Sequence, residues 1–494
     1  MRAGLVAMAL ASAAFGASVS PAGKLAEAVK NGERSAAITL INQKINVNTP
    51  EADGTTAIAW ATRQDDLDLV DRLIRAGADV KADNRYGVTP LSLACINGNA
   101  AMIEKLLKAG ADPNATGAED ETPLMTVART GSVPAAKVLL AHGAKADARE
   151  TWHGETALMW AAAQQHPEMV KALIDAGADV NAVSTVVKWE RQTTAEPREK
   201  WLPLGGFTPL MFAAREGCVE CAKVLIDAKA DVNLADPDGI TPMVNSIING
   251  HYDVATLLLE KGADPNLSDK TGRAALYAAV DAHTMPASNR PSPDESHNDS
   301  TSLELIKGLL AKGASVNMQL KTQQPYRTKV DRGNDTMLTT GTTPMVRAAK
   351  AGDTAVMAML LAKGADPKLA TRNGINPLMA AAGLGSKEED AVGRKKTEKE
   401  IIDSIDLCLK AGVDLNAVDS RGQTALHGAA QKGWDQVVQY LADHGAKLTV
   451  KDQKGLTPVD AAMGREGGLG FDNTTGDVHE STAALLGKLI AAKQ

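Results

Sequence analysis

The chain has 494 residues, 44% of them hydrophobic but only 3% aromatic, and a net charge of −7. That length exceeds a single hydrophobic core, and that apolar content excludes wholesale disorder. The acidic balance argues against a nucleic-acid binder, which carries a basic field, and past the first twenty residues no apolar run is long enough to span a bilayer.

The chain opens with Arg2, an apolar stretch from Ala3 to Phe15, and small residues that fit a small-x-small cleavage site ending at Gly16 or at Ser18. The pattern predicts a secretory signal over residues 1–20, cleaved after Gly16 or Ser18. It places the mature protein in the periplasm or the extracellular space, with no membrane span once the signal is removed. The four cysteines, Cys95, Cys218, Cys221 and Cys408, are too few for a disulfide framework to carry the stability of such a chain.

From residue 21 onward one signal dominates. A Thr-Pro-Leu-x tetrapeptide or a close variant begins at Thr56, Thr89, Thr122, Thr156, Thr208, Thr241, Ala274, Thr343, Asn376, Thr424 and Thr457. Seven of the ten intervals are 33 or 34 residues; the others, of 52, 69 and 48, read as insertions into a fixed unit. In each unit Thr is a helix N-cap and Pro takes the first helical position, where a missing N–H costs nothing. A short helix such as Leu91–Ala94 follows, and Gly98 breaks it. A second helix then sets Met102, Ile103, Leu106 and Leu107 on one face and ends at Gly110. No unit buries its apolar face alone, so the units must stack.

These residues resemble the ankyrin repeat, with its Thr-Pro-Leu-His, helix–turn–helix and Gly-Ala-Asp-Val-Asn pattern, over roughly residues 22–494. The resemblance implies an all-α solenoid of about twelve stacked helix–turn–helix repeats with short β-hairpin fingers and four loop insertions. The expected organisation is one solenoid over 21–494, with an N-terminal cap at 21–50, repeats at 51–453 and a C-terminal cap at 454–494. The His of the tetrapeptide is present only at His427. In the family that His ties neighbouring repeats by hydrogen bonds, so apolar packing by Met125, Met159, Met211 and Met379 is expected to compensate. Residues 184–205 and 319–341 lengthen fingers; residues 284–301 and 384–400 fall between the two helices of one repeat.

Catalytic and metal motifs are absent from the pattern: there is no His-Glu-x-x-His, no Gly-x-Ser-x-Gly and no phosphate loop. Asn233, Asp236 and Asp238 are spaced too closely for a calcium loop and read as a finger turn. No enzyme activity, cofactor or metal is therefore expected. Cys218-Val219-Glu220-Cys221 opens a second helix. Three readings stay open: unpaired thiols with Cys221 in the core, level with Ile103; a local disulfide; and a redox pair.

The resemblance also implies a scaffold, monomeric on its own, that binds another protein on a concave surface made by the fingers and first helices. An alternative is an accessory of periplasmic redox or peroxide-defence enzymes. The residue after the tetrapeptide is expected to face the concave surface, which singles out Trp60, Trp160 and Phe212. Six of fifteen aromatics, Trp152, Trp160, Trp189, Trp201, Phe207 and Phe212, fall within 61 residues. With Arg191 as rim they make a candidate partner site, and Tyr326 in the second enlarged finger extends it. The competing reading is that the tryptophans pin a long loop.

Overall fold

The computed structural model describes residues 23–188, 204–284, 298–322, 338–385, 396–465 and 477–493. The predicted signal segment, Trp189, Arg191, Trp201 and Tyr326 lie outside these residues. The described residues hold 24 α-helices that alternate as first and second members of successive pairs. They begin with α1 (Gly23–Lys30), α2 (Arg34–Asn42), α3 (Ala57–Arg63), α4 (Leu67–Arg75), α5 (Pro90–Asn97), α6 (Ala100–Lys108), α7 (Pro123–Thr130) and α8 (Val133–Ala141). Then come α9 (Ala157–Ala163), α10 (Pro167–Asp175), α11 (Pro209–Glu216), α12 (Val219–Asp227), α13 (Pro242–Ile248), α14 (Tyr252–Glu260), α15 (Ala275–Thr284) and α16 (Ser302–Ala311). The chain closes with α17 (Pro344–Ala351), α18 (Thr354–Ala362), α19 (Pro377–Ala381), α20 (Glu398–Lys410), α21 (Ala425–Gln431), α22 (Asp435–Asp443), α23 (Pro458–Ala462) and α24 (Glu480–Ala492).

The chain divides into two compact units, Met1–Ala161 with Lys171–Ala178, and Ala162–Val170 with Asp179–Gln494. Within the first, α1, α3, α5 and α7 pack side by side, as do α2, α4, α6 and α8. Within the second, α11, α13, α15, α17, α19, α21 and α23 form one row, and the even-numbered helices from α12 to α24 the other. Each helix of these rows therefore meets its pair partner and the like members of the neighbouring pairs in its own unit.

Local sequence explains each pair. Thr89 Oγ accepts from the Ser92 N–H at 3.1 Å, and the Ser92 hydroxyl accepts from the Thr89 N–H at 3.1 Å. This closes a reciprocal cap over the first turn of α5. Gly98 ends the helix with φ of 66°, a left-handed conformation costly for any other residue. Asn99 then caps α6 by accepting from the Met102 N–H at 3.0 Å. Leu91, Ala94, Met102, Ile103 and Leu106 are almost wholly buried, and each large aliphatic side chain so placed stabilises by about 1.5–3 kcal/mol.

The fingers expected as short β-hairpins are tight turns. Among the described residues, strand pairing is confined to two isolated antiparallel bridges, Val186–Gly205 and Ser268–Ala274. Backbone bonds such as Asn84 N–H to the Val88 carbonyl at 3.2 Å close the turns, and in several a side chain adds to them. Asn84 Oδ1 accepts from the Tyr86 and Val88 N–H groups at 3.0 Å each. Asp236 Oδ1 does the same with Asp238 at 2.9 Å and Ile240 at 2.8 Å. Five-residue turns of this kind leave no length for a ladder. Successive fingers are joined by single backbone bonds, such as Lys270 N–H to the Asp238 carbonyl at 2.8 Å. The approach is close at Gly239, where an added Cβ would stand 3.1 Å from Asp269 Cα.

The missing tetrapeptide histidines are replaced by more than methionine packing. The four expected methionines are buried, and His427 does reach the next finger, with Nε2 3.4 Å from the Leu456 carbonyl. A second device runs along both units. The Asn that closes the Gly-Ala-Asp-x-Asn segment, or the segment in its place, clamps the equivalent segment of the following pair. Asn48 donates to the Gly77 carbonyl at 2.9 Å and accepts from the Asp79 N–H at 2.7 Å. Asn114 does so with Gly143 and Lys145, Asn266 with Gly313 and Ser315, Asn317 with Gly364 and Asp366, and Asn416 with Gly445 and Lys447. An amide both donates and accepts, which makes it able to bridge two backbone groups at once.

Candidate partner-binding surface

The residue after the tetrapeptide does not line an open face. Thr126, Phe212, Asn245, Ala278, Arg347 and Ala380 at this position are all buried, while Trp60, Leu93 and Trp160 are half-buried. The cause is lateral packing, since this position is held between adjacent first helices. Asn245 Nδ2 donates to the Met211 carbonyl of the preceding first helix at 3.0 Å. Arg347 Nε donates to Asp281 Oδ1 at 2.6 Å, with both side chains buried. The exposed row lies one turn later, at Arg63, Ile96 and Arg129. An i+3 offset rotates a side chain by less than one turn, enough to clear the neighbouring helix.

In the first unit, Trp60 donates its indole N–H to Glu51 at 2.8 Å, and Lys30 and Arg63 lie 5.0 and 5.6 Å from its ring centre. Glu51 also pairs with Lys30 at 3.3 Å. Trp160 carries the Arg129 guanidinium at 5.5 Å from its ring. The finger before α9 is organised by buried Glu150, whose carboxylate accepts from the Trp152, His153 and Glu155 N–H groups. That leaves Trp152 67% exposed, stacked on His153 at 4.3 Å. Sequence reasoning missed a second finger-tip aromatic. Tyr86 is 61% exposed and its hydroxyl accepts from Arg85 at 2.7 Å. Its position two residues after the turn-closing Asn84 is the signal that would have found it.

In the second unit, Phe212 is buried rather than offered to a partner. Phe207 packs edge-on against it with ring centres 5.7 Å apart, and Arg215 covers both rings. The described members of the aromatic cluster thus divide, Trp152 and Trp160 into the first unit and Phe207 and Phe212 into the second.

Cys218 and Cys221 are joined as a disulfide, with Cα atoms 5.2 Å apart. Cys218 stands where Asn99 and Asp66 stand in other pairs, and its sulfur accepts from the Cys221 N–H at 3.2 Å. Cys221 is therefore level with Met102, one residue from the expected Ile103, and is equally buried. The other two thiols are buried and stay protonated, because burial pushes both up, Cys408 to about 12. Burial also holds His427 below the usual imidazole range. His283 links Ser302 at 2.8 Å through Nδ1 and Asp353 at 3.1 Å through Nε2. Asp353 is the N-cap of α18, accepting from the Val356 N–H at 3.0 Å, so the trio ties α15, α16 and α18. Among the described residues no three His, Cys, Asp or Glu side chains are grouped to hold a metal ion, and no helix is long and apolar enough to cross a membrane.

Capped helix pairs, stacked by like-to-like packing and joined at turn fingers, define an all-α repeat solenoid. The family model for ankyrin repeats (three copies) matches residues 25–117, 111–184, 193–269 and 396–468. That is more than half of the sequence, and the chain belongs to the ankyrin-repeat family. Among similar proteins, ankyrin repeat and SOCS box protein 16 of Mus musculus is 32% identical over 24% of this chain and 25% of its own length. Alpha-latrocrustotoxin-Lt1a of Latrodectus tredecimguttatus is 27% identical over 32% of this chain and 9% of its own. BCL-6 corepressor-like protein 1 of Homo sapiens is 40% identical over 11% and 3% respectively. The chain spans a quarter or less of these relatives. What is shared is the repeat, a protein–protein interaction scaffold.

Proposed function

We propose that the protein is an exported scaffold that holds a partner protein against the finger tips and first-helix face of its repeats. The observation that carries this reading is the exposure of Tyr86 at 61% and Trp152 at 67%, in a chain with only 3% aromatics. Large exposed aromatics are the side chains from which binding hot spots are built. Neither supports its own finger, since Asn84 and Glu150 close those turns. Affinity purification from the producing cell supplies the partner. Tyr86→Ala and Trp152→Ala are each expected to weaken its binding by about 2 kcal/mol with an unchanged melting temperature. A lowered melting temperature with unchanged affinity would make these aromatics structural.

The Cys218–Cys221 disulfide supports export, because such bonds persist in oxidising compartments. It is also the observation that favours the second reading, an accessory of periplasmic redox or peroxide-defence enzymes. N-terminal sequencing of the native protein tests export, and an intact Met1 on cytoplasmic material would refute it.

A further inference from the structure

Cys218 and Cys221 open α12 and are the two sulfurs that the fold joins. Cys218 fills the helix-cap position at which Asp66 and Asp353 present carboxylates to α4 and α18, and Asn99 an amide to α6. In each case the group accepts from the N–H three residues on. Asp66 does so from Leu69 at 2.9 Å, Asp353 from Val356 at 3.0 Å, and Cys218 Sγ from Cys221 at 3.2 Å. The chain thus fills this position elsewhere with negative charge, which the positive end of a helix favours. A thiolate at Cys218 meets the same N–H and the same helix end. The flanking carboxylates are matched by cations, Glu216 with Arg215 at 2.7 Å and Glu220 with Lys223 at 2.6 Å. The two sulfurs differ in reach: Cys218 is 7% exposed and Cys221 0%. Cys95 and Cys408 are also 0% exposed, and neither is joined to another sulfur.

We propose that Cys218 and Cys221 form a thiol–disulfide exchange site that reduces a disulfide of a partner protein, with Cys218 the nucleophile and Cys221 the resolving thiol. The inference deepens the redox-accessory reading above and does not depend on where the scaffold holds its partner. In the reduced chain Cys218 loses its proton to solvent, and its thiolate attacks one sulfur of the partner's disulfide. A mixed disulfide forms, and the other partner sulfur leaves as a thiolate and takes up a proton. Cys221 then loses its proton and attacks Cys218 Sγ. The mixed disulfide breaks, and the second partner sulfur leaves and is protonated in turn. Two electrons and two protons have passed to the partner, and the Cys218–Cys221 bond of the structure is the oxidised product. An external dithiol reduces it again. Burial assigns the roles. Only Cys218 meets solvent, while wholly buried Cys221, with its Cα 5.2 Å from that of Cys218, is within reach of the mixed disulfide alone.

The test uses the full mature chain with oxidised glutathione as the probe disulfide, at about pH 6, where an ordinary thiol is almost wholly protonated. Mass spectrometry with peptide mapping shows which sulfurs react. Chain reduced with dithiothreitol and then freed of it is expected to return to the Cys218–Cys221 disulfide and release two glutathione thiols. Cys221→Ser cannot resolve and is expected to stop at a glutathione adduct on Cys218. That adduct should form at least tenfold faster than the adduct on Cys221 in Cys218→Ser. It should also form at least fivefold faster than in a free peptide spanning residues 215–224 with the same Cys221→Ser change, because the fold supplies the helix end. Circular dichroism checks that the reduced chain and both variants keep their helices. A smaller ratio in either comparison, or unfolding of the reduced chain, overturns the proposal and leaves the disulfide a structural link. An intact Met1 on cytoplasmic material would remove the export that the redox-accessory reading requires and leave these rates standing. An exported chain whose Cys218 reacts no faster than the peptide sinks this inference alone.

Discussion

The first-helix rows of the two units use the same register for opposite ends. In α3, α5 and α7 the cations point outward: Arg63 and Arg129 are exposed and lie over aromatic rings. In α15 and α17 the charges turn inward. Arg347 is 6% and Asp281 4% exposed, joined at 2.6 Å. Nearby, Lys396 donates to the Lys350 carbonyl at 2.6 Å, and burial, aided by the Lys350 charge, pushes it down to about 7. The repeat frame sets where a side chain starts. Whether it meets solvent depends on the size and charge of what the next helix places beside it. The contrast teaches that one repeat position, held by Arg63 in α3 and by Asp281 in α15, is exposed in one pair and buried in another.

The sharpest way to break this contrast is to remove one charge from each row. Asp281→Ala takes away the carboxylate on a buried guanidinium and is expected to cost about 3 kcal/mol. Arg63→Ala should stay within about 0.5 kcal/mol, as exposed substitutions usually do. Hydrogen exchange resolved along the helices is the measurement, because stability in a repeat array is local. Equal costs at both sites would mean that the rows do not differ as described.

The next largest effect concerns α12. The disulfide closes a loop of four residues, for which chain entropy gives about 2 kcal/mol. Denaturation of oxidised against reduced protein should show a loss of that size confined to the second unit. Cys218→Asn should recover part of it under reducing conditions by supplying the amide cap that Asn99 gives α6. A loss spread through the first unit would count against independent local stability.

A smaller effect tests the amide ladder shared by both units. Asn317→Ala removes one bond to the Gly364 carbonyl and one from the Asp366 N–H and is expected to cost about 1.5 kcal/mol at that junction. Amide exchange around Gly364 should rise while exchange in the first unit stays unchanged.

The smallest is electrostatic. Burial, reinforced by Asp238, raises Asp236 to about 6 although two N–H groups favour its charge. A carboxyl raised in the folded state binds protons there that the unfolded chain releases, so stability falls as pH rises from about 4 to about 6. Asp236→Asn keeps the acceptor, as Asn84 does in its own finger, and drops the charge. It should stabilise by roughly 1 kcal/mol at pH 7, after discounting for partial exposure, and the gain should vanish below about pH 4. Melting temperatures of both proteins across that range are the check.

The helix pairs, their caps, their ends and the places of the insertions follow from the sequence alone, because a Thr cap, a Pro at the first helical position and a left-handed Gly act within a few residues of themselves. The 33-residue return of that pattern is enough to name the family. The face each side chain meets was not legible in the same way. Phe212 and Arg347 share a register position with Trp60, and the lateral contact of first helices buries them while leaving Trp60 half-open. The exposed row at Arg63, Ile96 and Arg129, and the Asn clamps that replace the tetrapeptide histidines, each join residues about 30 or more apart in sequence. Only stacking brings such residues together, so only the tertiary structure decides which residues hold the repeats to one another and which are left for a partner.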